Sequence, residues 1–338
     1  MSIETERMDI AGALESAGER LHRAGIPEPV MEAALAANPW FTRRYIGLAF
    51  EGVLRWLAPG VLSSFAARYP VREGPRLRAG LVMAGNLPFV GLHDLLMVWL
   101  AGHRALVKYS RQDRVLMEWI AGELARSHPL LPGLLEPAGE AAAQPDLFIG
   151  TGSNNTARYL EARYRGTPRI IRKNRFSAGW IQPGMTEADW AGLAEDILAY
   201  NGLGCRNVSN LLLLPGASLD GLRDALGRYD PSALNPYYLE RVRTEKVRFF
   251  MLKQTVSESP VLLLQQDRTP GYSVMGLCRV IETHSAASAA SLLDSHRHLI
   301  QCTAGLDVPF GHTQSPEIDD FADGVDTLAF LCGAGSGT

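Results

Sequence analysis

The sequence predicts an α/β fold, with a helical opening, a parallel-sheet domain and a second α/β domain after it. Three observations carry that reading. Residues 1 to about 70 hold apolar positions at helical spacing. From about residue 80, short apolar runs alternate with helix-period stretches, the pattern of a parallel sheet with right-handed crossovers. With 338 residues, 46% hydrophobic and 20% charged, the chain has an ordinary globular composition and the length for two packed domains. The boundaries read as a helical segment 1–75, a Rossmann-like domain 76–183, a catalytic-type α/β domain 184–310 and a C-terminal segment 311–338.

The elements follow in order. Helical periodicity runs through Ala11–Gly25, Val30–Ala37 and Tyr45–Leu57, broken at Pro27, Pro39 and Pro59. Leu81–Ala84 is a short buried-strand pattern, followed by a turn and a helix from Phe89 to Ala101. Ala105–Lys108 is the next strand, and its helix starts near Asp113, burying Val115, Leu116, Trp119, Ile120 and Leu124. Asp146–Gly150 and Arg169–Ile171 are the third and fourth strands. Thr186 with Asp189 marks a capping box, opening a helix that buries Trp190, Leu193 and Ile197 and ends at Asn201-Gly202. Next come a strand at Leu211–Leu214, helices from Ser218 and from Asn235-Pro236, and strands at Val261–Leu264 and Cys278–Ile281. A helix at Ala286–Ser295 and a strand at Leu299–Cys302 complete the set. No internal repeat is visible, and Ala141–Ala143 and the last six residues alone are of low complexity.

Several classes of function are disfavoured. A net charge of -3 gives no reason to expect a nucleic-acid partner. The start, Met1-Ser2-Ile3-Glu4, lacks the basic and apolar stretches of a secretory signal. The most apolar stretch, Leu81–Gly102, is interrupted by Asn86, Pro88, His93 and Asp94, so no integral membrane segment is expected. Cys205, Cys278, Cys302 and Cys332 have neither metal-ligand nor CxxC spacing. His296 and His298 have no clustering partner, and His312 reads as a satisfied loop histidine, so no metal is expected. A cytoplasmic protein with reduced thiols is the simplest expectation.

Cys205 is the leading candidate for chemistry. It lies in Tyr200-Asn201-Gly202-Leu203-Gly204-Cys205-Arg206-Asn207, where two glycines let the backbone approach a ligand and Arg206 favours a thiolate. Cys278 and Cys302, in apolar strands, read as small buried hydrophobes. Asn86, in Gly85-Asn86-Leu87-Pro88, has two readings: a helix N-cap with Pro88 in the first turn, or a side-chain amide aimed at a developing oxyanion. Lys108 ends a strand, the place where open α/β sheets bind ligands, although a solvated loop lysine is as good a reading. Gly150-Thr151-Gly152-Ser153 joins a strand to a helix, and glycines with a hydroxyl at a helix start suit phosphate.

These motifs, in this order, resemble the aldehyde dehydrogenase superfamily. Gly85-Asn86-Leu87-Pro88 is similar to its Asn-bearing turn, Ala105–Ser110 to its adenosine-ribose strand end, Phe148–Ser153 to its pyrophosphate turn and Asn201–Cys205 to its nucleophile segment. A narrower resemblance is to long-chain acyl-CoA reductases of the LuxC type. It rests on Met83–Asn86, Gly150–Tyr159, Arg172–Arg175, Gly202–Ser209 and Pro309–Gln314, and spans roughly residues 75–330. It implies an aldehyde-dehydrogenase-like fold and NADPH-dependent reduction of a fatty acyl-CoA or acyl carrier protein thioester to the aldehyde. Cys205 would accept the acyl group and Asn86 would stabilise the oxyanion. Lys108 and Ser110 would contact the adenosine ribose or its phosphate, and Gly152 and Ser153 would sit at the pyrophosphate, within the turn that Gly150 and Thr151 begin. A homo-oligomer or a complex with other acyl-processing enzymes is compatible with this reading.

The departures matter as much. Hydrolytic relatives carry a general-base Glu where this chain has Ile171-Arg172-Lys173-Asn174, and no acidic residue occurs between Glu161 and Glu187. The Glu of their Glu-x-Phe-Gly-Pro turn is also missing from Ser273-Val274-Met275-Gly276-Leu277. Lys173 and its arginine neighbours are expected to attract the phosphates of CoA or NADPH. The choice of NADPH over NADH stays open, with Arg111 and Arg114 as candidates for a 2'-phosphate. Two other functions stay open: an NAD(P)-dependent aldehyde dehydrogenase forming acid, and a weakly catalytic acyl-transfer scaffold.

Overall fold

The computed structural model describes residues 3–71, 74–137 and 144–333. The Ala141–Ala143 run lies outside the described residues, as does all of the final low-complexity stretch but Gly333. The chain forms two compact units, one of residues 1–173 with 317–338 and one of residues 174–316.

The first unit opens with four helices, α1 (Ile3–Ala24), α2 (Glu28–Ala37), α3 (Arg43–Trp56) and α4 (Val61–Ala66). Helix α1 buries Ile10, Leu14, Ala17 and Leu21, one face at helical spacing. A Cβ on its Gly18 would stand 2.5 Å from the Leu57 Cβ, so the small residue sets the approach of the chain end of α3. The Glu15 carboxylate accepts from the Ser63 N–H (2.8 Å) and hydroxyl (2.9 Å), serving donors that α4 leaves open.

A five-stranded sheet follows, of β1 (Arg78–Val82), β2 (Arg104–Lys108), β3 (Leu135–Pro137), β4 (Leu147–Thr151) and β5 (Arg169–Arg172). Its order is β3-β2-β1-β4-β5, and every pair is parallel. Helices α5 (Leu92–Leu100), α6 (Arg114–Ala125) and α7 (Asn154–Arg163) make the crossovers. Helix α5 is buried on nearly every side, which explains the apolar texture of its stretch. Among the described residues no helix is long and apolar enough to cross a membrane. Arg172, at the end of β5, is buried; it donates to Asp94 of α5 at 2.6 Å and to Thr327 of the last helix (Thr327–Gly333) at 2.9 Å. Ile318, Leu328, Leu331 and Cys332 are buried in the first unit's core.

The second unit is a six-stranded sheet of β6 (Phe176–Ile181), β7 (Val208–Leu213), β8 (Ser257–Glu258), β9 (Leu263–Asp267), β10 (Leu277–Glu282) and β11 (Ile300–Ala304). The order is β11-β6-β7-β10-β9-β8, parallel except for β8 against β9. Its helices are α8 (Glu187–Leu198), α9 (Asp220–Arg228), α10 (Pro236–Met251) and α11 (Ala286–Ser295). The Thr186–Asp189 capping box forms as read, and Asn235 caps α10 by accepting from the Tyr237 N–H at 2.8 Å. Strand β6 went unread in the sequence. All six of its residues are buried, so it shows no alternation.

Candidate active site

In the first unit, three predicted segments leave the C-terminal edge of one sheet. Val82 pairs with Lys108 on one side and with Gly150 on the other. Strand order reverses between β1 and β4, the switch point where open α/β sheets take ligands. The turn after β1 is anchored to the end of β2 by the Met83 N–H, which donates to the Lys108 carbonyl at 3.2 Å. A Cβ on Gly85 would overlap the Ser110 side chain, so this turn fits against the β2 loop only with glycine there.

Asn86 is exposed on that turn. Helix α5 begins at Leu92 with Gly91 as its N-cap, so Asn86 lies too far upstream to cap it. The capping interpretation is therefore set aside, and the predicted helix start at Phe89 moves later. Phe89 itself has φ of 58°, a left-handed conformation that the helix excludes.

Lys108 is exposed and Ser110 half-buried beside it. The Ser110 hydroxyl accepts from the Gln112 N–H at 3.4 Å. Gly150 has a packing role, since a Cβ there would lie 2.7 Å from the Phe148 ring and 2.9 Å from Leu160 of α7. Thr151 pairs with Arg172 across the sheet. Gly152 fits against Thr156, and its N–H donates to the Arg172 carbonyl at 3.3 Å. Ser153 caps α7, accepting from the Thr156 N–H at 3.3 Å. The next first-turn N–H groups lead into a ten-residue helix, a geometry suited to phosphate.

Asp113 was not singled out in the sequence. It is buried beneath the two loops, and neither carboxyl oxygen makes a hydrogen bond of good geometry. Burial pushes its pKa well above the carboxylate range, and the nearby Phe89 and Val90 N–H groups offset that only in part. The basic cluster after β5 differs from expectation. Arg172 is committed to Asp94, Lys173 pairs with Glu161 at 2.8 Å, and Arg175 donates to the Ile300 carbonyl at 3.1 Å. Arg114 pairs with Glu118 at 2.7 Å, whereas Arg111 is exposed.

In the second unit, α8 ends at Leu198 and the chain turns through Tyr200, Asn201 and Gly202, with φ of 51°, 57° and 69°. The Cys205 segment thus begins with three consecutive left-handed residues, which only glycine and, less readily, asparagine favour. The Asn201 side-chain oxygen accepts from the Asn235 N–H at 3.0 Å and ties the turn to the start of α10. Cys205 is exposed. Cys278, Cys302 and Cys332 are buried, and burial raises all three thiols, Cys278 to about 12 and Cys302 to about 11. Cys205 is thus the accessible thiol of the four.

The Cys205 carbonyl accepts from the Ser177 hydroxyl at 2.9 Å, and the Gly204 N–H donates to the Asn207 side-chain oxygen at 2.7 Å. The Asn207 amide donates to the carbonyls of Asp196 (3.2 Å), Ile197 (3.3 Å) and Ala199 (2.7 Å), satisfying the end of α8. The buried Asp196 carboxylate accepts from the Gly311 N–H (2.7 Å), the Thr313 N–H (3.0 Å) and the Thr313 hydroxyl (2.8 Å). Burial raises its pKa and these hydrogen bonds oppose the rise. His312 is exposed between the two residues that Asp196 holds. The roles of Ser177, Asn207 and Asp196 were not legible in sequence, because most of their partners are backbone groups brought close only by the fold. Among the described residues no cluster of His, Cys, Asp and Glu is placed to hold a metal.

The structure thus brings Asn86, Lys108, Ser110, Gly150, Thr151, Gly152 and Ser153 to one sheet edge of the first unit, and places Cys205 in the second. No protein-family model and no curated protein matches the chain. Solved structures do. An aldehyde dehydrogenase of Mycobacterium tuberculosis complexed with NAD+ is similar with a TM-score of 0.64 and 15% identity, over 85% of this chain and 70% of that one. A NAD-dependent benzaldehyde dehydrogenase from Corynebacterium glutamicum gives 0.64 and 16%, over 85% and 73%. A variant of the Thermus thermophilus 1-pyrroline-5-carboxylate dehydrogenase gives 0.63 and 14%, over 98% and 80%. At these identities the likeness is one of fold, and the fold is aldehyde-dehydrogenase-like.

Proposed function

We propose that this protein reduces a fatty acyl thioester, of CoA or an acyl carrier protein, to the aldehyde through an acyl group carried on Cys205. The observation that carries the reading is the exposed Cys205 thiol on a glycine turn, in a chain with no carboxylate between Glu161 and Glu187. The Cys205 thiolate adds to the thioester carbonyl. The donor's sulfur leaves as a thiolate, and the acyl group remains on Cys205 as a new thioester. The Asn86 amide donates to the carbonyl oxygen as it gains negative charge.

A nicotinamide cofactor fits the residues of the first unit: Lys108 is exposed beside the switch point, and the Gly152–Ser153 turn opens α7. Lys108 and Ser110 would hold its adenosine ribose or the attached phosphate, and the first turn of α7 its pyrophosphate. NADPH bound there would supply a hydride to the acyl carbon; the carbon–sulfur bond to Cys205 then breaks, releasing the aldehyde and returning the Cys205 thiolate. We assign cofactor binding to residues 76–183 and covalent chemistry to 184–310. The NAD+ complexes among the structural neighbours support the cofactor class.

Oxidation of an aldehyde to the acid on the same thiol is the second reading, favoured by the dehydrogenases that share the fold. A panel of acyl-CoAs of increasing length, with NADPH and NADH, separates the two. Cofactor oxidation with aldehyde as product is expected. Acid formation from aldehyde and NAD(P)+, with inert acyl-CoA, would replace the proposal with the second reading.

A further inference from the structure

Two buried side chains grip the backbone on either side of the Cys205 thiol. Asn207 holds the peptide N–H before it, from Gly204, and Ser177 holds the carbonyl after it, that of Cys205 itself. We infer that Asn207 and Ser177 are positioning residues that fix the direction of the Cys205 side chain; the inference rests on the reading of Cys205 as the nucleophile.

The turn cannot hold this shape by backbone preference alone. Tyr200 and Asn201 sit in the left-handed region, which disfavours side chains, so surrounding contacts must over-determine the conformation. Asn207 supplies those contacts. Its oxygen takes the Gly204 N–H while its amide is shared among three carbonyls at the end of α8. An aspartate would keep the first contact and turn the other three into repulsion. Ser177 works from the opposite side. Its hydroxyl donates to the Cys205 carbonyl and accepts from the Cys302 N–H at 3.3 Å. The register between β6 and β7 shifts at Ser177, and that between β6 and β11 shifts between Ile300 and Thr303, on either side of Cys302. Such irregularities re-aim side chains next to active sites.

The test uses the full chain and p-nitrophenyl acetate, a small acyl donor independent of the natural thioester. The first turnover is read as p-nitrophenolate release and as acetyl mass on the protein, with Cys205→Ala as the blank. In parallel, iodoacetamide alkylation reports thiol exposure and ionisation without demanding an oriented attack. Misplacement by about 1 Å costs about 100-fold in rate, so Asn207→Asp is expected to acylate about 100-fold and Ser177→Ala at least about tenfold more slowly. Alkylation of both variants should stay near the wild-type rate. Hydrogen exchange on the wild type gives a readout free of folding effects, with the Gly204 amide protected although its turn reaches the surface. Folded variants that acylate at the wild-type rate, losses equal in acylation and alkylation, or an unprotected Gly204 amide would each overturn the positioning role. A wild-type protein that alkylates at Cys205 but never acylates there overturns the nucleophile reading instead.

Discussion

The proposed chemistry rests on a few side chains, each with a separable task. Cys205 is the accessible thiol, so incubation with labelled acyl-CoA and no cofactor should label the wild type and leave Cys205→Ala blank. Asn86 is exposed and does not cap α5. Asn86→Ala should lose about 100- to 1000-fold in turnover, the usual cost of one oxyanion donor. Normal turnover in that variant would remove Asn86 from the chemistry. Asp113 acts on stability through pH. Its folded pKa lies above the unfolded value near 3.9, so its contribution is favourable below that pH and is lost as pH rises through the folded pKa. Asp113→Asn does not titrate. Its melting temperature should gain on the wild type from about pH 4 upward, until the folded carboxyl ionises. A variant that instead loses ground to the wild type over that range would contradict the assignment.

Among the elements, the Asp94–Arg172 pair joins α5, β5 and the last helix inside the first unit. Burial raises the Asp94 carboxyl, but the Arg172 guanidinium and His93 outweigh it and hold the pKa at about 2. The sign is opposite to Asp113: this stability is present above the unfolded value near 3.9 and is lost as pH falls towards 2. Asp94→Asn leaves the guanidinium buried beside a neutral amide. It should cost about 3–5 kcal/mol in urea denaturation at neutral pH, less below pH 4. This pair also marks a limit of reading from sequence. Arg172 looked like a phosphate-binding cation next to Lys173, because its Asp94 partner is 78 residues upstream. Capping residues and a strong period made the start of α8 and both ends of α11 legible, whereas α8 ends at Leu198, before the expected Asn201-Gly202, because the chain there turns into left-handed residues. Strand β6 was not legible, because a strand buried on both faces with Ser177, Ala178 and Gly179 at its centre shows no alternation and a single β-branched residue, Ile181. Asn207 was quoted within its motif yet carried no recognisable role, since its partners are carbonyls whose direction depends on where α8 stops.

At the scale of the whole molecule, the proposed function ties the fate of an acyl group to the distribution of carboxylates. The return of residues 317–333 to the first unit, through Arg68–Asp319 at 3.0 Å and the Tyr69 hydroxyl on Asp326 at 2.8 Å, was invisible in sequence and shows where those two acids are spent. Asp196 lies close to the Cys205 segment along the chain, but its carboxylate already accepts three hydrogen bonds and is buried. From Ala162 to Thr186 there is no acid at all. Water attack on a thioester needs a group to take its proton. Attack by the CoA thiol does not, because that thiol ionises by itself near a pKa of about 8.5. The acyl group on Cys205 should therefore persist in buffer and discharge quickly once CoA or NADPH is added. Intact-protein mass spectrometry over time, after gel filtration to remove acyl-CoA, follows the acyl mass directly. Its rapid loss in buffer alone, with fatty acid as product, would mean that a base is at work, and would favour an acid-forming dehydrogenase or a thioesterase over a reductase.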